Sequence, residues 1–145
     1  MTVKTNSALK TPKRILVARG GAIGDFILAL PVFQALKASF PQTTLACLSP
    51  TGRGEIAQMA GLADEIRNVD DRCWASFFVR DGQLDGVACN WFSSFDYIIS
   101  YLHDPNETWK TNVVRVSDAV FLGGCHQPGE ISDVPASVTL LKALE

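Results

Sequence analysis

A short apolar segment that ends at a pair of glycines constrains the fold of this 145-residue chain more than any other feature. Residues Arg14 to Ala18 read Arg-Ile-Leu-Val-Ala, and Gly20-Gly21 follows them. An apolar run without alternation is typical of a strand that is buried on both faces of a parallel sheet. We therefore predict a parallel-sheet strand followed by a glycine loop.

The residues after this loop follow the period of an amphipathic helix. Large apolar side chains recur at steps of three or four, and Pro41 closes the pattern. Pro31 lies inside the pattern, where its missing N–H removes one helical hydrogen bond and predicts a kink. The apolar positions of the predicted helix are Phe26, Leu30, Phe33, Leu36 and Phe40.

Strands and helices are predicted to alternate along the rest of the chain. Such alternation favours an open, mostly parallel sheet with helices on both faces and right-handed crossovers. The predicted fold class is therefore α/β, a Rossmann-like doubly wound sheet. Further strands are predicted at Thr44 to Leu48, Glu65 to Val69 and Tyr97 to Leu102, with a weaker one at Phe121 to Gly123, and a helix from about Gly54 to Ala60.

The segment Asp70 to Phe95 is rich in aromatic residues and fits the alternation least well. Helical packing into the core is the favoured interpretation, and an aromatic surface that docks another molecule is the alternative. The aromatic residues are Trp74, Phe77, Phe78, Trp91, Phe92 and Phe95.

We predict a flexible polar tail over residues 1–13 and a single domain over residues 14–145. Val138 to Leu144 predicts an amphipathic helix that stops at Glu145 without a C-cap, so we expect the chain to belong to a longer protein. The tail carries several basic residues, which are interpreted as solvated, with contact to an anionic membrane surface as the alternative.

Composition excludes several classes of function. Thirteen Lys and Arg against fifteen Asp and Glu give a net charge of -2, so no basic surface for nucleic acid is predicted. The four Cys lack a Cys-x-x-Cys pair and no secretory segment precedes them, which indicates reduced thiols in a cytoplasmic protein. The run Phe26 to Phe33 is less than half of the roughly 20 residues that a membrane helix needs. We therefore predict no membrane span.

The loop Arg19 to Asp25 is the first candidate for a site, because ligands of doubly wound folds bind beyond the carboxyl ends of the strands. It reads Arg-Gly-Gly-Ala-Ile-Gly-Asp. A dinucleotide fingerprint would need a glycine in place of Arg19. A P-loop would need Gly-Lys-Ser/Thr where Gly24-Asp25-Phe26 stands. The sequence therefore disfavours a phosphate cradle.

Asp25 has two interpretations from the residues alone. Its carboxylate can cap backbone N–H groups at the helix start and complement the helix dipole, and this is the favoured role. Alternatively, it serves as a general base at the mouth of the cleft, where Gly24 lets another molecule approach closely.

The start of the chain also resembles a known family. The segment Ile15-Leu16-Val17-Ala18-Arg19-Gly20-Gly21-Ala22-Ile23-Gly24-Asp25 is followed by Leu28-Ala29-Leu30-Pro31-Val32, by Ala35-Leu36-Lys37 and by Phe40-Pro41. This order is similar to the opening of glycosyltransferase family 9, the lipopolysaccharide heptosyltransferases. The match is detailed over Arg14 to Leu48 and looser beyond.

The resemblance implies the N-terminal half of a GT-B glycosyltransferase, in which two Rossmann-like domains face a cleft and this half holds the sugar acceptor. It implies that Asp25 is the base that deprotonates the acceptor hydroxyl in an inverting transfer. It also favours acceptor contacts by loop residues at the carboxyl ends of the strands. The substrate-binding candidates are Arg19, Gly20, Gly21, Ala22, Gly24, Thr51, Arg53, His103 and Asp104.

Each secondary candidate keeps an alternative interpretation. Arg53 either pairs with a carboxylate or phosphate or is a solvated loop arginine. His103-Asp104 either contacts acceptor hydroxyls or belongs to an ordinary Asp-Pro-Asn turn. Arg19 either approaches the anionic acceptor or ends its strand. Cys125-His126 is not interpreted as a metal site or nucleophile, because adjacent residues rarely converge and no third ligand has suitable spacing.

The resemblance also implies what lies outside this sequence. The family's Asp-Thr-Gly-x-x-His motif for the nucleotide sugar matches nothing in the chain, so the C-terminal domain is expected to be absent. The donor, ADP-heptose, would be bound mainly by that domain, where a helix N-terminus and basic groups replace a metal. No cofactor and no metal are predicted.

The expected function is heptose transfer to the lipopolysaccharide inner core, with a lipid-linked sugar acceptor and a location in the cytoplasm or at the inner membrane face. The alternatives are a non-catalytic Rossmann-like or flavodoxin-like nucleotide-binding module, an inactive truncated domain, and an interaction protein that docks a partner through its aromatic segment.

Overall fold

A computed structural model describes residues 11–124, which form one five-stranded sheet. The strand order is β3-β2-β1-β4-β5 and every pairing is parallel, which confirms the predicted fold class. The strands are β1 (Arg14–Ala18), β2 (Thr44–Ser49), β3 (Glu65–Asn68), β4 (Tyr97–Ser100) and β5 (Val120–Gly123). The helices are α1 (Ile23–Ser39), α2 (Gly54–Met59), a 3₁₀ helix (Arg72–Phe78), α3 (Gly86–Ser93) and α4 (Thr108–Val116).

Apolar layers cover both faces of the sheet. Ile15 and Val17 of β1 belong to the layer that contains the apolar side chains of α1 and α2. Leu16 and Ala18 belong to the opposite layer, with the 3₁₀ helix, α3 and α4. Successive side chains of a strand point to opposite faces, so a strand that is covered on both faces needs an uninterrupted apolar sequence.

The helix predicted after the glycine loop is confirmed as α1. Phe26, Phe33 and Leu36 are buried, Leu30 is partly buried, and the helix continues through Pro31. It ends where the Phe40 N–H donates to the Leu36 carbonyl oxygen at 2.8 Å. These side chains pack α1 against one face of the sheet.

The aromatic segment packs into the core, as predicted. Trp74 and Phe77 of the 3₁₀ helix and Phe92 of α3 are buried, and the ring centroids of Phe77 and Phe92 lie 4.8 Å apart. Phe78 is 42% exposed and stacks on Trp109 with a centroid distance of 5.1 Å. Most of the segment therefore stabilises the second apolar layer rather than forming a separate surface.

Helix α4 was not predicted from the sequence. Its inward face carries Trp109, Asn112 and Val113, and Asn112 is only 2% exposed. The Asn112 amide donates to the carbonyl oxygens of Phe77 at 2.9 Å and Val79 at 3.0 Å. A buried amide therefore takes the place of an apolar side chain on the inward face. The apolar period is interrupted there, and the sequence pattern does not predict the helix.

The residues just before and at the start of β1 are held by hydrogen bonds to the loops before β2 and β4. The Thr43 hydroxyl donates to the Pro12 carbonyl oxygen at 2.6 Å. The backbone N–H groups of Lys13 and Arg14 donate to Asp96 Oδ2 at 2.7 and 3.1 Å. Pro12 and Lys13, the last residues of the predicted polar tail, are thus hydrogen-bonded to the domain. Residues 1–10 and the predicted helix Val138 to Leu144 lie outside the described residues.

Within residues 11–124, no helix is both long enough and apolar enough to cross a lipid bilayer.

Candidate active site

The candidate site lies at the topological switch point of the sheet, between β1 and β4. β1 and β4 are neighbours, but the chain continues from β1 towards β2 and from β4 towards β5 on the other side. The two loops that follow them diverge and leave a crevice, which is where ligands of doubly wound sheets bind. A Cβ on Gly20 would lie 3.5 Å from Cδ2 of Leu102, so the glycine loop and the loop after β4 are in contact.

Asp25 lies in the first turn of α1, at the mouth of this crevice. Its Oδ2 atom accepts the backbone N–H of Ala22, the residue before the helix, at 3.0 Å. The predicted capping role is therefore present in the structure. The carboxylate is exposed, and this bond uses only one of its two oxygens. Capping and proton transfer thus do not compete for the same atom.

Glycines shape the space around Asp25. Gly21 has a φ of +85°, a left-handed conformation that favours glycine, and a Cβ there would lie 2.8 Å from Asp25 Oδ2. A Cβ on Gly24 would meet no described atom within 4 Å. Gly21 therefore admits the carboxylate, while the space beside Gly24 is open to another molecule.

Arg19 is a buried cation beneath the glycine loop. Its side chain is 2% exposed, and its backbone N–H donates to the Leu48 carbonyl oxygen at 3.0 Å, which extends the sheet by one bond. Burial raises the pKa of Tyr101, and the positive charge of Arg19 partly opposes that shift. The sequence analysis did not single out Tyr101, which directly follows β4 and is 1% exposed.

The loop after β2 lies at the same edge, because β2 is the neighbour of β1. Gly52 has a φ of +87°, and the Arg53 guanidinium donates to the Thr51 carbonyl oxygen at 2.8 Å. The Nε atom of Arg53 is shielded from solvent and has no hydrogen-bond partner among the described residues. Arg53 is thus held by its own loop, with one shielded donor that no described residue satisfies.

Asp104 organises the start of α4. Its two carboxylate oxygens accept the backbone N–H groups of Trp109 at 3.0 Å and Lys110 at 2.9 Å. These bonds match the turn interpretation of His103-Asp104. In residues 11–124, no hydrogen bond or ion pair joins Arg53 or Asp104 to Asp25. The candidates share the carboxyl edge of the sheet without forming one bonded cluster.

A cavity of about 260 Å³ lies beside His103 and Asp104. Its walls include Ser100 at the end of β4 and Gly123 at the end of β5. The sequence analysis missed this cavity, since nothing in the sequence shows that these two strands are neighbours.

The cysteines of the described chain carry no second site. Cys47, Cys73 and Cys89 are free, and burial raises the pKa of the Cys47 thiol to about 12. Cys125 and His126 lie outside the described residues.

Known proteins resemble the chain in sequence and in fold. No family model matches it. The "Putative glycosyltransferase" of Haemophilus influenzae is 27% identical over 101 residues, which are 70% of this chain and 29% of that protein. A glycosyl transferase family 9 structure from Veillonella parvula aligns with a TM-score of 0.64 and 15% identity, covering 91% of this chain and 40% of the other.

Two structures of the E. coli heptosyltransferase WaaC also align, each at 14% identity over 90% of this chain. The complex with ADP gives a TM-score of 0.58 and is covered to 46%. The complex with ADP-2-deoxy-2-fluoro heptose gives 0.57 and is covered to 47%. The chain thus spans less than half the length of each of these relatives. The resemblance drawn from the glycine loop is confirmed, and the fold of this chain is the one found in the family 9 glycosyltransferases.

Proposed function

We propose that this chain is the acceptor-binding N-terminal half of a heptosyltransferase-like, inverting glycosyltransferase. The reaction is transfer of heptose from ADP-heptose to the lipopolysaccharide inner core. The observation that carries the proposal is the exposed carboxylate of Asp25 at the start of α1, beside the crevice between β1 and β4. The complexes of WaaC with ADP and with an ADP-heptose analogue support the choice of donor.

Asp25 is the general base in this proposal. Its carboxylate accepts the proton of an acceptor hydroxyl as that oxygen attacks the anomeric carbon of the donor. The new glycosidic bond forms as the bond to ADP breaks, and ADP leaves from the opposite face, so the anomeric configuration inverts. The Ala22 N–H holds Oδ2, and the open space beside Gly24 admits the acceptor.

The two halves of the enzyme divide the binding work. The glycine loop here carries an aspartate where a phosphate cradle needs a cation, so the donor diphosphate belongs to the second domain, at a helix N-terminus. In this half, Arg19 and Arg53 place positive charge near the edge of the sheet, towards an anionic acceptor. His103 contacts acceptor hydroxyls, and Asp104 supports the loop that carries it.

The acceptor fixes the proposed location. A lipid-linked acceptor would place the reaction in the cytoplasm or at the cytoplasmic face of the inner membrane.

Calorimetric titration of the purified chain tests the proposal. One titration uses ADP-heptose and the other a water-soluble acceptor that contains Kdo, the acidic sugar of the inner core. We expect the acceptor to bind and ADP-heptose to give no heat. Binding of the nucleotide sugar alone would favour a Rossmann-like nucleotide-binding module, and silence in both titrations would contradict acceptor binding by this half.

A matched pair of variants tests whether the heat of acceptor binding arises in the crevice. Gly24→Leu fills the open space beside Asp25 and should abolish acceptor binding. Gly86→Leu, at a glycine that also has no described atom within 4 Å of its Cβ position, should bind like the unchanged chain. Equal loss in both variants would assign the effect to folding.

A further inference from the structure

The cavity beside β4 and β5 has the size and position of a sugar subsite. Its volume of about 260 Å³ is just below the roughly 300 to 1,000 Å³ of pockets for drug-sized ligands, which suits one ring. Leu102 forms part of its wall and also contacts the position of Gly20 in the glycine loop. One side chain therefore separates the cavity from the loop that holds Asp25.

The Ser100 hydroxyl is a buried polar group in the cavity wall. This residue is 5% exposed and lines the cavity. Its hydroxyl oxygen accepts the Trp109 indole N–H at 3.1 Å and the Leu102 backbone N–H at 3.3 Å. A hydroxyl has two acceptor positions and one hydrogen to donate. No described residue accepts that hydrogen, so Ser100 can donate to an oxygen of a bound molecule.

The charges of the wall select against an anion. Asp104 and Glu107 are the carboxylates of the wall, and Lys110 is its ammonium group. Backbone N–H groups of α4 already bond the Asp104 carboxylate, and Lys110 lies 3.8 Å from Glu107. The wall thus carries two carboxylates against one ammonium group, which already faces Glu107, and this excess of negative charge disfavours a carboxylate or phosphate ligand.

We infer that this cavity binds a neutral, hydroxyl-rich sugar ring of the acceptor, and that Ser100 donates a hydrogen bond to one of its oxygens. The inference rests on the proposed function, because it takes the ligand to be a sugar acceptor. It adds a second acceptor subsite that is separate from Asp25 and that discriminates by charge. An acidic ring is excluded here and has to bind elsewhere along the crevice.

The Trp109 indole N–H is a direct reporter of the cavity. The chain has three Trp, and the indole groups of Trp74 and Trp91 donate instead to the Asn68 carbonyl oxygen and to Glu65. The ¹⁵N-labelled chain is titrated with the neutral methyl glycoside of heptose, with the methyl glycoside of Kdo and with ADP-heptose. We expect the neutral glycoside to shift the Trp109 resonance saturably, while the Trp74 and Trp91 resonances stay in place.

Three outcomes would overturn the subsite, and a fourth would instead overturn the proposed function. An unchanged or non-saturating Trp109 resonance contradicts binding in the cavity, even where calorimetry shows that the proposed function holds. A stronger response to the Kdo glycoside contradicts the exclusion of acidic rings. A response to ADP-heptose at lower concentration than to the neutral glycoside assigns the cavity to the donor. Conversely, a Trp109 response without any binding of the Kdo-containing acceptor keeps the subsite and removes the proposed function.

Variants separate binding from folding. Gly123→Leu adds a side chain at a wall position where a Cβ meets no described atom within 4 Å, so it fills the cavity and should abolish the Trp109 response. Gly86→Leu makes the same change at the start of α3 and should leave the response intact. An unchanged response in Gly123→Leu would contradict the subsite.

Discussion

A Cβ at Gly21 would lie 2.8 Å from Oδ2 of Asp25, the same oxygen that accepts the N–H of Ala22 at 3.0 Å. The glycine is therefore required twice, for its left-handed backbone and for the space that the carboxylate occupies. The glycine loop acts as a support for one side chain. This explains how a loop that lacks a phosphate-binding pattern still depends on its glycines.

The two glycines that flank this site are expected to differ in what they tolerate. Gly21→Ala should lower the free energy of unfolding by about 1 to 2 kcal/mol, because a non-glycine residue is strained at this φ. Gly24→Ala is the matched control, since its Cβ meets open space within a helix. It should be neutral or stabilise the fold by up to about 1 kcal/mol. Urea unfolding measures both, and equal losses would contradict the assigned geometry.

Replacement of Asp25 should separate its two roles. In the proposed glycosyltransferase, with a nucleotide-sugar domain joined to this chain, Asp25→Asn should lower the rate of ADP release by at least about a hundredfold, the scale of a lost general base. The amide oxygen of Asn still accepts the Ala22 N–H, so stability should fall by less than about 1 kcal/mol.

The control for this variant is Asp81→Asn, at a side chain that is 93% exposed on a loop. This variant should turn over at the unchanged rate. An Asp25→Asn enzyme of normal rate would remove Asp25 from the mechanism.

An ion-pair cluster on β3 predicts a loss of stability in acid. Glu65 pairs with Arg14 at 2.9 Å and Arg67 at 3.1 Å, and it accepts the Trp91 indole N–H at 2.8 Å. Burial alone would raise the pKa of Glu65, but these hydrogen bonds and charges together lower it below its ordinary value of 4.5. The unfolded chain then binds the proton more readily, so protonation favours unfolding.

The stabilisation by Glu65 is therefore complete above about pH 4.5 and is lost as the pH falls through the lower pKa of the folded state. Urea unfolding of the unchanged chain and of Glu65→Gln between pH 3 and 7, about the range of carboxylate titration, should give stabilities that converge in acid. Glu55→Gln, at an exposed position of α2, provides the comparison. A difference that grows as the pH falls would contradict this sign.

The buried amide of Asn112 should be intolerant of a carboxylate. Asn112→Asp removes the donor to the Phe77 and Val79 carbonyl oxygens and places acceptors against acceptors. Each unsatisfied buried group costs about 1 to 3 kcal/mol, so we expect a loss of at least that size in urea unfolding. Asn90→Asp, at an exposed position of α3, should change stability by less than about 0.5 kcal/mol. Similar values for both variants would contradict a structural role for the Asn112 amide.

The local sequence is sufficient to predict β1 and α1. β1 is a short uninterrupted apolar run and α1 a long apolar pattern with the helical period, and the glycine loop between them marks the change from strand to helix. In both cases burial and local preference agree, which is why the interpretation of Arg14 to Phe40 is confirmed by the structure. The same agreement holds for β2, which is covered on both faces.

Helix α4 shows where this approach fails. Its inward face is completed by Asn112, whose partners are carbonyl groups more than 30 residues earlier in the chain. A polar residue with distant partners interrupts the apolar period, so the sequence alone does not mark the helix. The requirement for a buried amide arises only after the 3₁₀ helix has packed against α4.

The candidate site divides in the same way. Asp25 follows from its loop, because the motif and the helix start are adjacent in sequence. The cavity beside Ser100 depends on residues from β4, α4 and β5 that only the strand order brings together. Its charge balance also depends on hydrogen bonds of Asp104 that no spacing rule predicts.

The pairing of β1 with β4 also decides when the crevice can exist. Arg14 and Asp96, whose hydrogen bond closes the entry to this pair, are 82 residues apart. Contacts between residues so distant in the chain form slowly, because a long loop has to close first. During folding, a nascent chain with β1 to β3 already paired therefore has Asp25 but no second wall beside it. The crevice, and with it the proposed acceptor site, is consequently complete only with the last third of the described sequence.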